Sequence, residues 1–598
     1  MTHFDERIEI LRQRMIEDGI DFYLIPTADD HASEYISDFY KVRNYYAGFT
    51  GSAGTLVIGR EMAGLWTDGR YFIQAENQLS GSQVVLFRMA DAGVPTIQEY
   101  LEAHMPQGGT LAFDGQVVDL AQGKRYEELM NEKAGKILWS EDIAGSYWKE
   151  RPVRASKPVY ELVEKYSGKS RHQKLEELKA FMASKGGKHV LLASLEDIAW
   201  LLNLRGDDVN HTPVFLAFVL VGEDATRLYV DEAAFSKEIC EHLAADGVEL
   251  KPYMSIYEDL KKLDGGKVLY DASKVNYALS QCIPENVSVL PTDIHLLIPK
   301  AIKNPVELDN LRSAHIKDGV AVTKFMYWLK NNIGKIPMSE ISASDYLADL
   351  RSKIDTYVDL SFDTISAYKA NAAMMHYSAT PESNAELKPE GMLLVDSGGQ
   401  YYEGTTDITR TFILGPISDV EKKHFTLVAK SMLNLANAKF LYGCTGHTLD
   451  ILARGPLWNI GIDYKCGTGH GVGYLLSVHE PPNGFRWRQV PDRNDSAVLE
   501  EGMVTTDEPG VYIEGSHGIR TENEFICVKD ELNEYGQFMR FEMLTWAPID
   551  LDGIDPQWLN PDDLRQLNQY HAQVYEKISP YLNDDEKEWL MKYTRAIG

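Results

Sequence analysis

The chain has 598 residues, 44% hydrophobic and 25% charged, with 60 basic against 89 acidic side chains and a formal net charge of −29. That length calls for two to four domains, and the balanced composition excludes long disorder. The acidic surface serves solubility and excludes nucleic acid as a partner, because it repels a phosphate backbone.

The N-terminus reads as an amphipathic helix rather than a secretory leader, with Phe4, Ile8, Leu11 and Met15 on one stripe and Gly19 as the stop. Two segments then share a pattern. The first runs from a strand at Asp21–Pro26 through a helical stretch to strands at Gly54–Ile58 and Leu65–Asp68. The second runs from His189–Ala193 through Leu195–Leu204 to Val214–Val221 and Leu228–Asp231. Each suggests an α/β layer, and together they suggest a duplication. The apolar run Val214–Val221 is the longest, far too short to span a bilayer, and is expected to be one buried strand. Between the two segments, Arg151–Pro158 carries paired prolines and charges and reads as a linker. A second boundary is expected near Leu297–Lys300. The five cysteines, Cys240, Cys282, Cys444, Cys466 and Cys527, are odd in number, widely spaced and without a CxxC. They fit reduced thiols in a cytoplasm, not a disulfide scaffold.

The remaining half opens with a long helix carrying Leu308, Leu311, Val322, Phe325 and Leu329, and a further helix starts at Ser418 with Glu421 completing a capping box. A second echo follows. Glu390-Gly391-Met392-Leu393-Leu394-Val395-Asp396 resembles Glu501-Gly502-Met503-Val504-Thr505-Thr506-Asp507, which is followed by Glu508. Each leads through a glycine-containing loop to a second acid-bearing strand, with Asp407 in one case and Glu522 in the other. Two similar hairpins thus offer two carboxylates each. Bare carboxylates buried together repel, so protons or cations must neutralise them. His470 lies between the hairpins in Cys466-Gly467-Thr468-Gly469-His470-Gly471-Val472-Gly473, where glycines allow close backbone approach. One such aspartate alone is more often a turn residue; the recurrence of the set on paired hairpins is what points to metal. Four carboxylates and one imidazole suit hard or borderline divalent ions, manganese ahead of zinc, held in pairs roughly 3.5 Å apart.

The order Asp396, Asp407, His470, Glu508, Glu522 resembles the pita-bread metallopeptidases, which include methionine aminopeptidase, prolidase and aminopeptidase P. The 11-residue step between the aspartates, the GTGHGVG, TDEPG and RTEN segments all match. Residues 43–79, with Gly48-Phe49-Thr50-Gly51-Ser52-Ala53-Gly54 and Trp66-Thr67-Asp68-Gly69-Arg70-Tyr71-Phe72, resemble the first domain of the long, three-domain aminopeptidase P. So do Ile198–Gly206 in the middle and the tail with Trp558-Leu559 and Tyr570-His571. Methionine aminopeptidase lacks the two leading domains, and prolidase usually has one.

The resemblance implies two creatinase-like α/β domains, residues 1–158 and 159–299, before a pita-bread catalytic domain at residues 300–598. It implies an Xaa-Pro aminopeptidase using a hydroxide bridged by two divalent ions, most simply Mn2+, with Co2+ or Zn2+ as alternatives. Asp396 would chelate one ion, Asp407 and Glu522 would bridge both, and His470 and Glu508 would hold the other. Glu508 would also be the general base. His376 and His479 would steady the peptide carbonyl and the tetrahedral intermediate. Arg70 would contact substrate, and Arg520 would orient the ligand carboxylates. The partners implied are peptides with proline second and another copy in a homodimer, with neither nucleic acid nor membrane, in the cytoplasm. The sequence departs from the long form at Cys466, where that form commonly has histidine; a thiol there either packs as a small hydrophobe or makes activity redox-sensitive. Other signals fail: no Gly-Lys-Ser/Thr follows Gly51–Gly54, His479-Glu480-Pro481-Pro482-Asn483 is not HExxH, and no GxSxG is evident. A prolidase-like dipeptidase would use the same metals, and a non-catalytic binding relative would have lost ligands that are complete here.

Overall fold

A computed structural model describes residues 2–292, 297–489 and 495–598. The chain forms two compact units, residues 1–163 with 169–296, and residues 164–168 with 297–598.

The N-terminal unit contains two six-stranded sheets with the same strand order. In the first, Val84–Arg88, Ala63–Thr67, Thr55–Gly59, Phe22–Pro26, Thr110–Phe113 and Lys136–Leu138 lie side by side. In the second the order is Val248–Pro252, Thr226–Val230, Phe218–Gly222, His189–Leu192, Lys267–Tyr270 and Ser288–Pro291. The pairing senses also agree: the third strand in each order runs antiparallel to both its neighbours and the other pairs are parallel. The duplication suggested by the sequence is therefore a duplication of topology.

Both faces of the first sheet are covered, which is why its strands read as continuous apolar runs. Phe22 and Leu24 join one core shared with Leu191, Phe218 and Val268 of the second sheet. Tyr23 and Ile25 point the opposite way, into a core with Ile8, Leu11 and Met15 of the helix His3–Glu17. That helix ends as expected, with Gly19 at φ +67. Equivalent helices of the two copies meet at their caps. Asp119 caps Leu120–Glu132, Asn276 caps Tyr277–Gln281, and the two residues form a β-bridge.

Two expectations need refinement. The run Val214–Val221 is buried throughout, but only its end belongs to a strand, Phe218–Gly222. Val214 to Ala217 are drawn off the ladder: the Val214 carbonyl accepts the Asp208 N–H at 3.0 Å, and the Asp208 carboxylate accepts the Leu216 N–H at 2.9 Å. The segment 151–158 has neither helix nor strand, as read from its prolines, yet it is strapped down. Arg151 stacks 3.7 Å over Phe39 and donates to its carbonyl at 2.8 Å, and Arg154 pairs with the buried Asp30 at 3.1 Å. All five cysteines are free thiols. Among the described residues, no helix is long and apolar enough to cross a membrane.

The C-terminal unit is built around the helix Pro305–Asn332, which starts with an Asn304 cap and proline in its first turn. Leu311, Val322, Phe325 and Leu329 are buried on it. Its Asp318 is held by Arg351 at 2.7 Å and by the Tyr401 hydroxyl at 2.6 Å, all buried. The helix Asp419–Ala436 begins with the expected Ser418–Glu421 capping box. The two hairpins are present. Met392–Ser397 pairs antiparallel with Ile408–Ile413, placing Asp396 opposite Thr409, and Val504–Asp507 pairs antiparallel with Asn523–Asn533, placing Asp507 opposite Asn523. The turn before each first strand needs a left-handed residue, Gly391 at φ +71 and Gly502 at φ +93, which explains the repeated Glu-Gly-Met.

Gly398 lies in the connection between Met392–Ser397 and Ile408–Ile413, and a Cβ there would sit 1.8 Å from the Thr406 carbonyl oxygen. Gly398→Ala is expected to cost about 1–3 kcal/mol through overpacking, read as a lower urea midpoint by far-ultraviolet circular dichroism. An unchanged midpoint would mean that the loop yields freely.

Candidate metal centre

The five expected ligands stand at strand ends. Asp396 is the second-last residue of Met392–Ser397, and Glu508 directly follows Val504–Asp507. Asp407 and Glu522 directly precede Ile408–Ile413 and Asn523–Asn533. His470 ends the short strand Gly469–His470. It is docked on the second hairpin because Gly469 has no side chain: a Cβ there would meet the Thr506 carbonyl oxygen at 1.9 Å. The His470 N–H donates to the Thr506 hydroxyl at 3.0 Å, and the Glu508 N–H donates to the Thr468 carbonyl at 2.7 Å.

These contacts bring distant residues together. Asp407, His470 and Glu522 each present a donor atom within 4.8 Å of the others. His470 Nε2 lies 3.5 Å from an oxygen of Asp407 and 3.5 Å from one of Glu508. His470 Nδ1 lies 2.9 Å from the Gly471 carbonyl oxygen, an acceptor only, which places a proton on Nδ1 and turns Nε2 toward the carboxylates. The first hairpin is tied to the second by the Thr409 hydroxyl, which donates to Glu522 at 2.7 Å, and by the Glu522 N–H, which donates to the Thr409 carbonyl at 3.0 Å.

The charge is far from balanced by protein groups. Asp396, Asp407 and Glu522 are 8%, 5% and 1% exposed. Burial first, and then the neighbouring carboxylates, push Asp407 and Glu522 well above the ordinary carboxylate range. Arg520 answers part of this: it is ion-paired with Asp396 and fixed by the Thr409 and Tyr512 hydroxyls at 3.0 and 2.6 Å. One oxygen each of Asp396 and Asp407 is buried without a hydrogen bond. Buried carboxylate oxygens with no donor, crowded around an imidazole lone pair, form a site that divalent cations fit.

The remaining expected residues fall as follows. His479 stands edge-on to His470, ring centroids 4.3 Å apart. His376 is half-buried and follows the 3-10 turn Lys369–Ala373. That turn presses on His517–Arg520 so closely that a Cβ on Gly518 would meet the Ala372 carbonyl at 1.7 Å. Arg70 belongs to the N-terminal unit, where it is paired with Asp68 at 2.8 Å and Glu34 at 3.5 Å. Cys466 packs against the core of the C-terminal unit, and burial, reinforced by Glu508, pushes its thiol up to about 11. A thiol so placed is protonated at neutral pH and behaves as a small apolar group. Asp507 echoes Asp396 in sequence but not in setting: fully buried, with neither oxygen hydrogen-bonded, it is pushed well above the carboxylate range by burial and by Glu508. Strand alternation turns it away from Glu508. Two groups escaped the sequence reading, Glu524 and His315, which lie 3.1 Å apart beneath Asp407. The only signal was an acid two residues past Glu522, on the same strand face, and a histidine on the buried stripe of the long helix.

Comparison with known proteins agrees with this geometry. The profile of the creatinase/prolidase N-terminal domain matches twice, at residues 7–138 and 150–307. Those of metallopeptidase family M24 and its C-terminal region match residues 309–529 and 537–597. A probable Xaa-Pro aminopeptidase P of Paracoccidioides brasiliensis is 37% identical over 615 residues, covering 99% of both chains. Aminopeptidase P2 of Arabidopsis thaliana is 37% identical over 635 residues, covering 99% of this chain and 89% of that one. The crystal structure of X-prolyl aminopeptidase from Caenorhabditis elegans, a cytosolic enzyme with a di-nuclear active site, superposes with a TM-score of 0.94 at 31% identity over 100% of both chains. Two creatinase-like α/β domains followed by a pita-bread domain, with this set of carboxylates and histidine, place the chain in the long, three-domain aminopeptidase P family of M24 metallopeptidases.

Proposed function

We propose that the chain is a metal-dependent aminopeptidase cleaving the bond between an N-terminal residue and a following proline. The observation that carries this reading is the convergence of Asp407, His470 and Glu522 within 4.8 Å, in a chain similar over its whole length to Xaa-Pro aminopeptidases. Asp396, Asp407, His470, Glu508 and Glu522 would hold two divalent cations, with Asp407 and Glu522 shared between them. The oxygen-rich donor set favours Mn2+, with Co2+ or Zn2+ as alternatives. When bound, such a pair supplies an acidified water near neutral pH and polarises a carbonyl.

The chain's own groups do the rest. Glu508, about one-fifth exposed at the end of its strand, is placed to take a proton from the attacking water. His479, beside His470, and His376 donate hydrogen bonds to the carbonyl oxygen as negative charge develops on it. Arg520 pairs with Asp396 and orients it. Arg70 serves as a peptide contact. Proline in second place makes a tertiary amide with no N–H, so a pocket fitted to its ring selects substrates that enzymes reading that N–H reject. We assign residues 1–158 and 159–299 to the two creatinase-like domains and 300–598 to the catalytic domain. A cytoplasmic homodimer acting on short peptides accords with the family.

Glu508→Ala is expected to stay folded and to lose about 10²- to 10⁴-fold in kcat/KM with Mn2+ added; wild-type turnover would remove Glu508 as the base. Tripeptides of the form Xaa-Pro-Xaa are expected to lose their first residue while Xaa-Ala-Xaa peptides stay intact. An enzyme confined to Xaa-Pro dipeptides would be a dipeptidase instead. Chelation is expected to abolish activity and lower the unfolding temperature. Restoring Mn2+ at about a hundred times its Kd should return about 2.7 kcal/mol. Chelator-insensitive activity would sink the metal reading.

A further inference from the structure

One carboxylate outside the ligand set joins three elements of the C-terminal unit. Glu524 lies on Asn523–Asn533, two residues past Glu522, and is completely buried. Its Oε1 accepts the backbone N–H of Asp407, on the other hairpin, at 2.5 Å. The same oxygen lies 3.1 Å from Nε2 of His315 on the helix Pro305–Asn332. The Glu524 backbone is fixed in turn, its N–H donating to the Thr545 hydroxyl at 2.8 Å and its carbonyl accepting the Leu544 N–H at 2.9 Å.

The state of His315 follows from its neighbours. Its Nδ1 lies 2.8 Å from the Leu311 carbonyl oxygen, an acceptor only, so Nδ1 carries a proton. Its Nε2 lies at ion-pair distance from Glu524 Oε1, without a hydrogen bond of its own. Burial opposes the charge, but the Glu524 carboxylate outweighs it and the net shift is upward. The nearby Asp318 is already committed to Arg351 and Tyr401.

Asp407 has one carboxylate oxygen with no hydrogen bond and stands before its strand begins, so its place depends on its backbone. The bond from its N–H to Glu524 Oε1 is the contact that fixes that backbone to the other hairpin. We propose that Glu524, lying between His315 and the Asp407 backbone, is a positioning residue that tethers Asp407 to the second hairpin and so sets the affinity of the site for its cations. The inference rests on the metal-centre reading above.

The test is Mn2+ calorimetry on metal-free full-length protein, combined with amide exchange. Glu524→Gln is expected to bind Mn2+ about 10- to 100-fold more weakly and to speed exchange at the Asp407 amide while the amides of Met392 to Val395 keep their rates. His315→Gln, which removes the imidazole beside Glu524 Oε1, is expected to move both readouts the same way. Wild-type Mn2+ affinity with unchanged Asp407 exchange in Glu524→Gln overturns the proposal. Should that variant not fold, the wild type decides: an Asp407 amide exchanging as fast as in an unstructured chain overturns it too. A wild type that binds no Mn2+ refutes the metal centre itself, whereas the exchange data still judge the tether.

Discussion

Everything in the C-terminal unit is organised around the cost of crowding carboxylates out of water. Asp396, Asp407 and Glu522 are buried and Glu508 nearly so, with Asp407, Glu508 and Glu522 within reach of His470. A single ionised carboxylate in such surroundings is costly, and several repel one another besides. The fold supplies only a partial answer through Arg520 on Asp396, and it leaves oxygens of Asp396 and Asp407 without donors. That deficit is what makes the site a receptor for cations. The same deficit requires a stiff frame, because the uncompensated groups push apart whenever the site is empty.

The frame is made by close backbone approach and by cross-links between hairpins. Gly398, Gly469 and Gly518 each stand where a Cβ would collide with a carbonyl oxygen at 1.7 to 1.9 Å. Thr409, Arg520 and Glu524 then stitch the first hairpin to the second. The pseudo-symmetric halves thus face each other with their acids inward, and His470 is carried between them on a strand that could not dock if Gly469 had a side chain. In the N-terminal unit the same economy appears at a larger scale: one sheet topology used twice, with a shared apolar layer between the copies.

Much of this was legible in the chain. The repeated Glu-Gly-Met before Asp396 and Asp507 encodes two turns with left-handed glycines and two strands of like register. The ligand order stood out because its members recur on paired hairpins, not because any one residue was distinctive. Other features were hidden. Asp507 looked like the counterpart of Asp396, yet strand alternation turns it away from Glu508 and buries it with neither oxygen hydrogen-bonded. Val214 to Ala217 look like a strand, but the carboxylate and backbone of Asp208 compete for their hydrogen bonds. Cys466 invited a redox reading that its packing and raised thiol do not favour.

The sequence by itself determined which groups are available and the local geometry that holds them: strand ends, left-handed turns, caps and apolar stripes depend on neighbours a few residues away. Only the tertiary structure decided which oxygen of which acid is left without a donor, that His470 turns Nε2 inward, and that Glu524 reaches Asp407 and His315 at once. Those are matters of distance between segments more than a hundred residues apart in the chain. Electrostatic energy depends on such distances and on burial, and neither is written in the order of the residues.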